Sequence, residues 1–447
     1  MEQGSSGAPI RHPIAWQDPD FYDEKKLDAE MRRVFDLCHG CRRCFSLCDS
    51  FPRLFDLIDE SESGEMDSVS SAGFKPVVDA CTLCDLCFMT KCPYVPPHDW
   101  DLDFPHLMLR YRAVEHAKGK TGFIEKQISE TDRNGKLASN MAGLANWTTS
   151  TSNKLARPVM EAVAGVHREA ELPKFHGKTL TARAKTDRPQ VNADAPAHGR
   201  KAVLYATCYG NYNNPEIGEA ARRVLAHNGV ETEVVYPGCC GMPQLEQGDL
   251  ARVAANAKTV AAELKAWIDK GYDVIALVPS CALMLKFEWP LIATGDENVT
   301  ALSAKTFDIS EYIVGIAKNE GLAAGLKPLD GGVAVHLACH ARVQNVGAKA
   351  VEMMRLVPEA DIAVIERCSG HGGSWGIMKN NFEVALKIGK TTARNVAKSE
   401  KKYIASECPL AGTHIMQGID RLDGDKPEIE LASHPVMLFA RAYGLAG

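Results

Sequence analysis

Eight cysteines near the N-terminus fall into two runs, Cys38-x2-Cys41-x2-Cys44-x3-Cys48 and Cys81-x2-Cys84-x2-Cys87-x4-Cys92, the second followed by Pro93. Three thiolates offset by three residues can turn around one cube of iron and sulfide, while the fourth comes from a distant segment. The spacing therefore predicts two [4Fe-4S] clusters and one-electron chemistry. With the fourth ligand exchanged between runs, Cys38, Cys41, Cys44 and Cys92 go to one cluster, and Cys81, Cys84, Cys87 and Cys48 to the other. Two details depart from the usual pattern. Asp49 stands where a proline commonly follows the fourth cysteine, and the second run has four residues rather than three before Cys92. A structural zinc site is the alternative for each run, since it needs only four thiolates and favours C-x2-C pairs. Three equally spaced cysteines and a fourth, twice over, fit zinc poorly.

The elements that must hold these runs are helical. Leu27, Met31, Val34 and Phe35 recur at helical spacing behind Asp23, a capping residue, so the first run hangs from a helix end. The 32 residues between Cys48 and Cys81 predict helices rather than hairpins between the runs. From about residue 116 to 198 the chain reads as a surface connector. An amphipathic helix carries Leu155, Val159, Val163 and Val166, a stripe whose default place is a core, and a basic, proline-bearing tail follows.

From about residue 199, short β-branched runs alternate with long helical stretches, which predicts a parallel sheet flanked by helices. The strands are expected at 202–206, 232–236, 274–278, 333–337, 362–365 and 403–405. Asn214 and Pro215 open the clearest helix as cap and first-turn proline, with Ile217, Val224 and Leu225 inward. The region also repeats. Cys339 follows Cys208 by 131 residues, Cys368 follows Cys239 by 129, and Cys408 follows Cys281 by 127, so each half is expected to supply three strands and a cysteine after each.

Ligands of open α/β sheets bind beyond the carboxyl ends of the strands, where loops converge. Cys208, Cys239, Cys240 and Cys281 occupy that position in the first half, and Cys339, Cys368 and Cys408 in the second, with His371 as an additional donor. The adjacent pair Cys239-Cys240 is hard to explain by packing alone, because consecutive side chains cannot both enter one apolar face. Metal or cluster binding is the expectation for the first half. The second holds either a cluster completed by His371 or no metal. His336, His340 and His414 are expected to be packed or hydrogen-bonded rather than ligands.

With 447 residues and 45% hydrophobic content the chain can build about three packed domains. The 57 acidic and 51 basic residues nearly cancel, which gives no electrostatic reason for nucleic-acid binding. The N-terminal MEQGSSGAPIRHPIAWQDPD lacks the pattern of a signal peptide, and no run of about eighteen apolar residues predicts a membrane span. Fifteen cysteines without a leader fit a reducing cytoplasm in which thiols are free to bind metal. The glycine-rich CSGHGGSWG lacks both the G-x-G-x-x-G order and a P-loop lysine, so flavin and nicotinamide chemistry belongs to a partner.

The segments PGCCGMP, PSCALML, HLACHARVQNVG, CSGHGGSWG and SECPLAG resemble the CCG-domain iron-sulfur oxidoreductases. These include the B subunit of heterodisulfide reductase, iron-sulfur subunits of glycolate oxidase and lactate utilisation, and the C subunit of anaerobic glycerol-3-phosphate dehydrogenase. A helical two-cluster domain ahead of a CCG pair is most similar to the last, or to a fusion of the C and B subunits of heterodisulfide reductase. The resemblance covers about 30–120 and 200–420. It implies an α+β multidomain chain: a helical two-cluster ferredoxin domain (1–120), a helical connector (121–198), and two α/β CCG units with parallel strands (199–328 and 329–447). It further implies electron relay between a flavoprotein dehydrogenase and an acceptor such as a quinone or a di-iron protein, in the cytoplasm or at a membrane through a partner. Some members carry five cysteines per unit and a non-cubane cluster. Here Met284, Ser369 and Ala411 stand at three of those positions, so disulfide reduction at the CCG site is an alternative the resemblance supports less, beside a cubane, a modified cluster or zinc there. A third reading is a metal-stabilised scaffold.

Overall fold

The computed structural model describes residues 7–424, 427–432 and 434–445. The first six residues of the stretch read for a leader lie outside it.

Helix α1 (Glu24–Cys41) starts where expected: the Asp23 carboxylate accepts from the backbone N–H groups of Lys25 and Lys26 at 2.8 and 3.0 Å. It buries Leu27, Met31, Val34 and Phe35, each contributing about 1.5–3 kcal/mol, and ends at left-handed Arg42, between Cys41 and Cys44. Helices α2 (Ser50–Asp59) and α3 (Phe74–Ala80) fill the gap between the cysteine runs, and α4 (Phe104–Ala117) packs across them. Phe51 lies 4.7 Å from Phe104 and Phe35 lies 5.2 Å from Phe74, ring centre to ring centre. This aromatic core is helix on helix, without a hairpin.

Helices α5 (Phe123–Ser129), α6 (Thr131–Asn140), α7 (Ala142–Thr149), α8 (Ala156–Ala164) and α9 (Leu180–Thr186) follow. The apolar stripe of α8 is not core. Leu155, Val159 and Val163 are 80%, 61% and 69% exposed, and only Val166 is buried. Gly165, at φ 68°, ends the helix before Val166, which pairs with Met378 instead. The inner face of α8 is polar. The Arg157 guanidinium donates to the carbonyl oxygens of Arg168, His167 and Ala170 at 2.9, 2.6 and 2.6 Å, and buried Glu161 pairs with Arg168. A satisfied polar face has displaced the apolar one.

Two four-stranded parallel sheets complete the fold. The first comprises β1 (Lys201–Tyr205), β2 (Glu231–Val235), β3 (Asp273–Ala276) and β4 (Thr306–Asp308) in the order β2-β1-β3-β4. The second comprises β5 (Val333–His336), β6 (Ile362–Ile365), β7 (Tyr403–Ser406) and β8 (Glu430–Ala432) in the matching order β6-β5-β7-β8. All pairings are parallel. The expectation of three strands per half is corrected to four, because β4 and β8 are three-residue edge strands, too short to show a period of two. Helix α10 (Pro215–His227) buries Ile217, Val224 and Leu225 as anticipated, although the Asn214 side chain makes no capping bond.

Candidate functional site

The N-terminal cysteines gather in two groups of four. Burial, and then the sulfurs of Cys92, Cys44 and Cys41, pushes the Cys38 thiol up. For Cys48 the corresponding neighbours are Cys84 and Cys81, and for Cys87 they are Cys84 and Cys81, then Cys44 and Cys48. Burial likewise pushes Cys44 and Cys84 up to about 12. Such thiols stay protonated unless a bound cation takes the charge. The groups meet where Cys44 faces Cys87.

The backbone explains how irregular spacing still returns Cys92 to the first group. Residues Cys87–Lys91 form a single π turn in which the Cys92 N–H donates to the Cys87 carbonyl at 2.8 Å, so five residues fill the space an α turn gives to four. Asp49 in turn takes the position before α2 and pairs with Arg53 at 2.6 Å. Two further π turns, Tyr209–Asn213 and Met284–Glu288, follow Cys208 directly and Cys281 after two residues.

The loop from Cys81 to Cys92 lies against the carboxyl ends of both sheets. His340, just beyond β5, faces the Leu83 carbonyl at 3.3 Å and the Ser280 hydroxyl, beyond β3, at 2.9 Å. The Arg112 guanidinium donates to the carbonyls of Val78 and Cys81 and, at 3.0 Å, to that of Glu246. Arg11 reaches in from the N-terminal strap, bonding Asp85 and Asp103 through two nitrogens each and Glu288 at 3.0 Å, with its guanidinium 4.6 Å from the Phe88 ring centre. His106 bridges Asp103 and Glu288. Ile14 and Trp16 extend the strap to the carbonyls of Leu291 and Ile292. None of these charged residues was a sequence candidate, and Arg11 finds its partners 74, 92 and 277 positions away.

In the first unit Cys208, Cys239, Cys240 and Cys281 come together beyond β1, β2 and β3. The Cys281 sulfur is 3.2 Å from that of Cys240, and Cys239 lies between Cys208 and Cys240. Hydrogen bonds from Cys208 and Cys240, ahead of those from Thr131 and Gly241 N–H, push Cys239 well below the usual thiol range. Thr131 and Asp132 come from the start of α6: Thr131 donates to the Cys239 sulfur at 3.2 Å, and the Asp132 carboxylate accepts from Cys239 N–H at 3.0 Å and from the Tyr236 hydroxyl. The connector, read as surface packing, thus supplies two site residues. Met284 is fully buried with no thiol to offer.

In the second unit Cys339 senses Cys84 first, then Cys368 and Cys408, and Cys408 in turn senses Cys281 of the first unit. This group thus has a sulfur neighbour in the second N-terminal group, at Cys84, and another in the first unit, at Cys281. His371, three residues after Cys368, has its Nε2 unpartnered and lies 6.0 Å from the His414 ring, centre to centre; burial followed by His414 pushes its pKa down to about 3, which keeps it neutral and able to donate a lone pair. His336 is instead held by the Ser406 hydroxyl at 2.8 Å and the Arg367 carbonyl at 3.0 Å. His414 is mostly enclosed, and its Nε2 is unpartnered like that of His371. Ser369 and Ala411 are also enclosed, and the Ser369 hydroxyl accepts from His371 N–H. Among the described residues no three His, Cys, Asp or Glu side chains are arranged as a single metal ion requires.

Residues 202–286 and 333–415 each match the cysteine-rich CCG domain, so the chain carries this domain twice, once on each sheet. It is homologous to the C subunit of the anaerobic glycerol-3-phosphate dehydrogenase of Escherichia coli K12, 24% identical over 323 residues that make up 70% of this chain and 76% of the relative. The B subunit of the fumarate reductase (CoM/CoB) of Methanothermobacter marburgensis is 25% identical over 229 residues, 50% of this chain and 43% of its own. An uncharacterized iron-sulfur protein of Methanococcus maripaludis is 26% identical over 230 residues, 49% and 42% respectively.

Proposed function

We propose that this chain, with two CCG domains homologous to those of dehydrogenase and reductase subunits, is an iron-sulfur electron-transfer subunit. In this reading Cys38, Cys41, Cys44 and Cys92 hold one [4Fe-4S] cluster and Cys81, Cys84, Cys87 and Cys48 the other, within a ferredoxin domain of residues 1–120. The connector is 121–198, and the CCG units are 199–328 and 329–447. The donor set fits the group: eight free thiols fall in two sets of four, the number of thiolates that two such cubes need. When bound, the clusters supply one-electron carriers whose potentials follow hydrogen bonding and exposure.

The observation that carries the reading is continuity. Cys44 is within electrostatic reach of Cys87, Cys84 of Cys339 and Cys368, and Cys408 of Cys281 after Glu407, so sulfur sites neighbour one another from the helical domain into the first CCG unit. Arg112 and Arg11 fix the loop between them to the first unit. Cys208, Cys239, Cys240 and Cys281 offer a four-thiol site for a further cluster or zinc, and Cys339, Cys368 and Cys408 with His371 a second. Electrons come from a flavoprotein dehydrogenase and leave to a quinone or a di-iron protein. Disulfide reduction has less support, because Met284, Ser369 and Ala411, buried and without a thiol, occupy the positions where further thiolates would stand.

The test is transfer itself. Photoreduced flavin should reduce the anaerobically purified chain, and a soluble quinone should reoxidise it. Cys48→Ala should leave the first group reducible while slowing delivery to the quinone at least about tenfold, given the loss of one of four thiolates on the second cube. Delivery at the wild-type rate in Cys48→Ala would count against the relay.

A further inference from the structure

No helix among the described residues is long and apolar enough to cross a membrane. Even so, the layer formed by α6, α7 and α8 presents large apolar side chains to solvent: Leu137, Leu144, Trp147, Leu155, Val159 and Val163, with Trp147 58% exposed. This is an imposed orientation rather than loose packing. Arg157, 2% exposed, is tied to three carbonyls, and Glu161 to Arg168, so α8 is held polar face inward and cannot roll its leucine and valines into the core. An apolar face held outward needs a cover.

The charges say which cover. Between residues 133 and 163 the exposed charged side chains are Arg133, Lys136 and Lys154. The two carboxylates of this stretch and its border are withdrawn, Glu161 into its pair with Arg168 and Asp132 to Tyr236 and the Cys239 N–H. Apolar stripes, one tryptophan and only cations match the chemistry of an anionic lipid surface: lysines meet phosphates, valines and leucines enter the acyl boundary, and the indole sits between.

We propose that the α6–α8 face docks directly on an anionic lipid bilayer, lying in its interface without spanning it. Leu137 lies six residues along α6 from Thr131, about 9 Å at 1.5 Å per residue, so docking brings the Cys239 site close to the lipid boundary. The inference goes beyond the electron-relay reading and does not depend on it, because lipid binding is read without reference to iron.

The full chain, purified anaerobically, would be sedimented with phosphatidylglycerol–phosphatidylethanolamine vesicles and, separately, with phosphatidylcholine vesicles. It should bind the anionic vesicles, less so in high salt. The combined Leu155→Gln, Val159→Gln and Val163→Gln chain should lose at least about tenfold in binding at an unchanged melting temperature, since these side chains support no core. Lys136→Glu with Lys154→Glu should abolish the preference for anionic lipid. Absence of binding to either vesicle would overturn the proposal, as would binding indifferent to the triple substitution. So would light scattering that shows a dimer dissolved by that substitution, because the face would then be covered by a second copy.

Discussion

Arg11 uses all of its N–H directions on three carboxylates that belong to the loop from Cys81 to Cys92, the start of α4 and the π turn Met284–Glu288. Asp85 and Glu288 are 5% and 2% exposed, so Arg11→Met leaves buried charge uncompensated. The expected loss is about 3–5 kcal/mol by denaturant titration, with partial recovery in Arg11→Lys. His106 adds a pH dependence. Burial and Arg11 lower its pKa, but Asp103 and Glu288 raise it further, and the net position is above the ordinary histidine value. Its contribution is thus complete below about pH 6.5 and fades as pH rises through the higher folded-state value. The urea midpoint should fall on the alkaline side, and His106→Gln should flatten that limb. Cys92→Ser should lower the iron content by up to about four atoms per chain, one cube's worth, by metal analysis. The cysteines were legible because their spacing is local; Arg11 was not, because its partners are brought to it only by the folded chain.

At the scale of elements, periodicity located α1, α10 and six strands, and missed the two edge strands of three residues. It also identified the apolar side of α8 correctly and placed it wrongly, since a pattern tells which face is apolar but not what stands opposite. The loop carrying Cys368 and His371 depends on Gly370. At φ 80°, a Cβ there would press on the Ala385 carbonyl and the Gly389 nitrogen of the helix Phe382–Lys398. Gly370→Ala should therefore cost about 2–3 kcal/mol, combining left-handed strain with overpacking. Hydrogen exchange should quicken in Phe382–Lys398 and stay unchanged in β1–β4.

The whole molecule sets two sheets of matching strand order with their carboxyl ends toward one cysteine-bearing loop. The duplication was readable from three cysteine offsets. The meeting of Cys84 with Cys339 and Cys368 was not, because it depends on how the helical domain seats on both sheets, which no local pattern encodes. In the proposed electron-transfer subunit each of the two groups of four thiols holds a cube. Iron and sulfide analysis, with electron paramagnetic resonance of the anaerobically purified and reduced chain, tests it most directly. At least about eight irons with matching sulfide and reducible paramagnetic centres are expected, four irons per cube. Fewer than about seven irons, or zinc in their place with no signal on reduction, would contradict it.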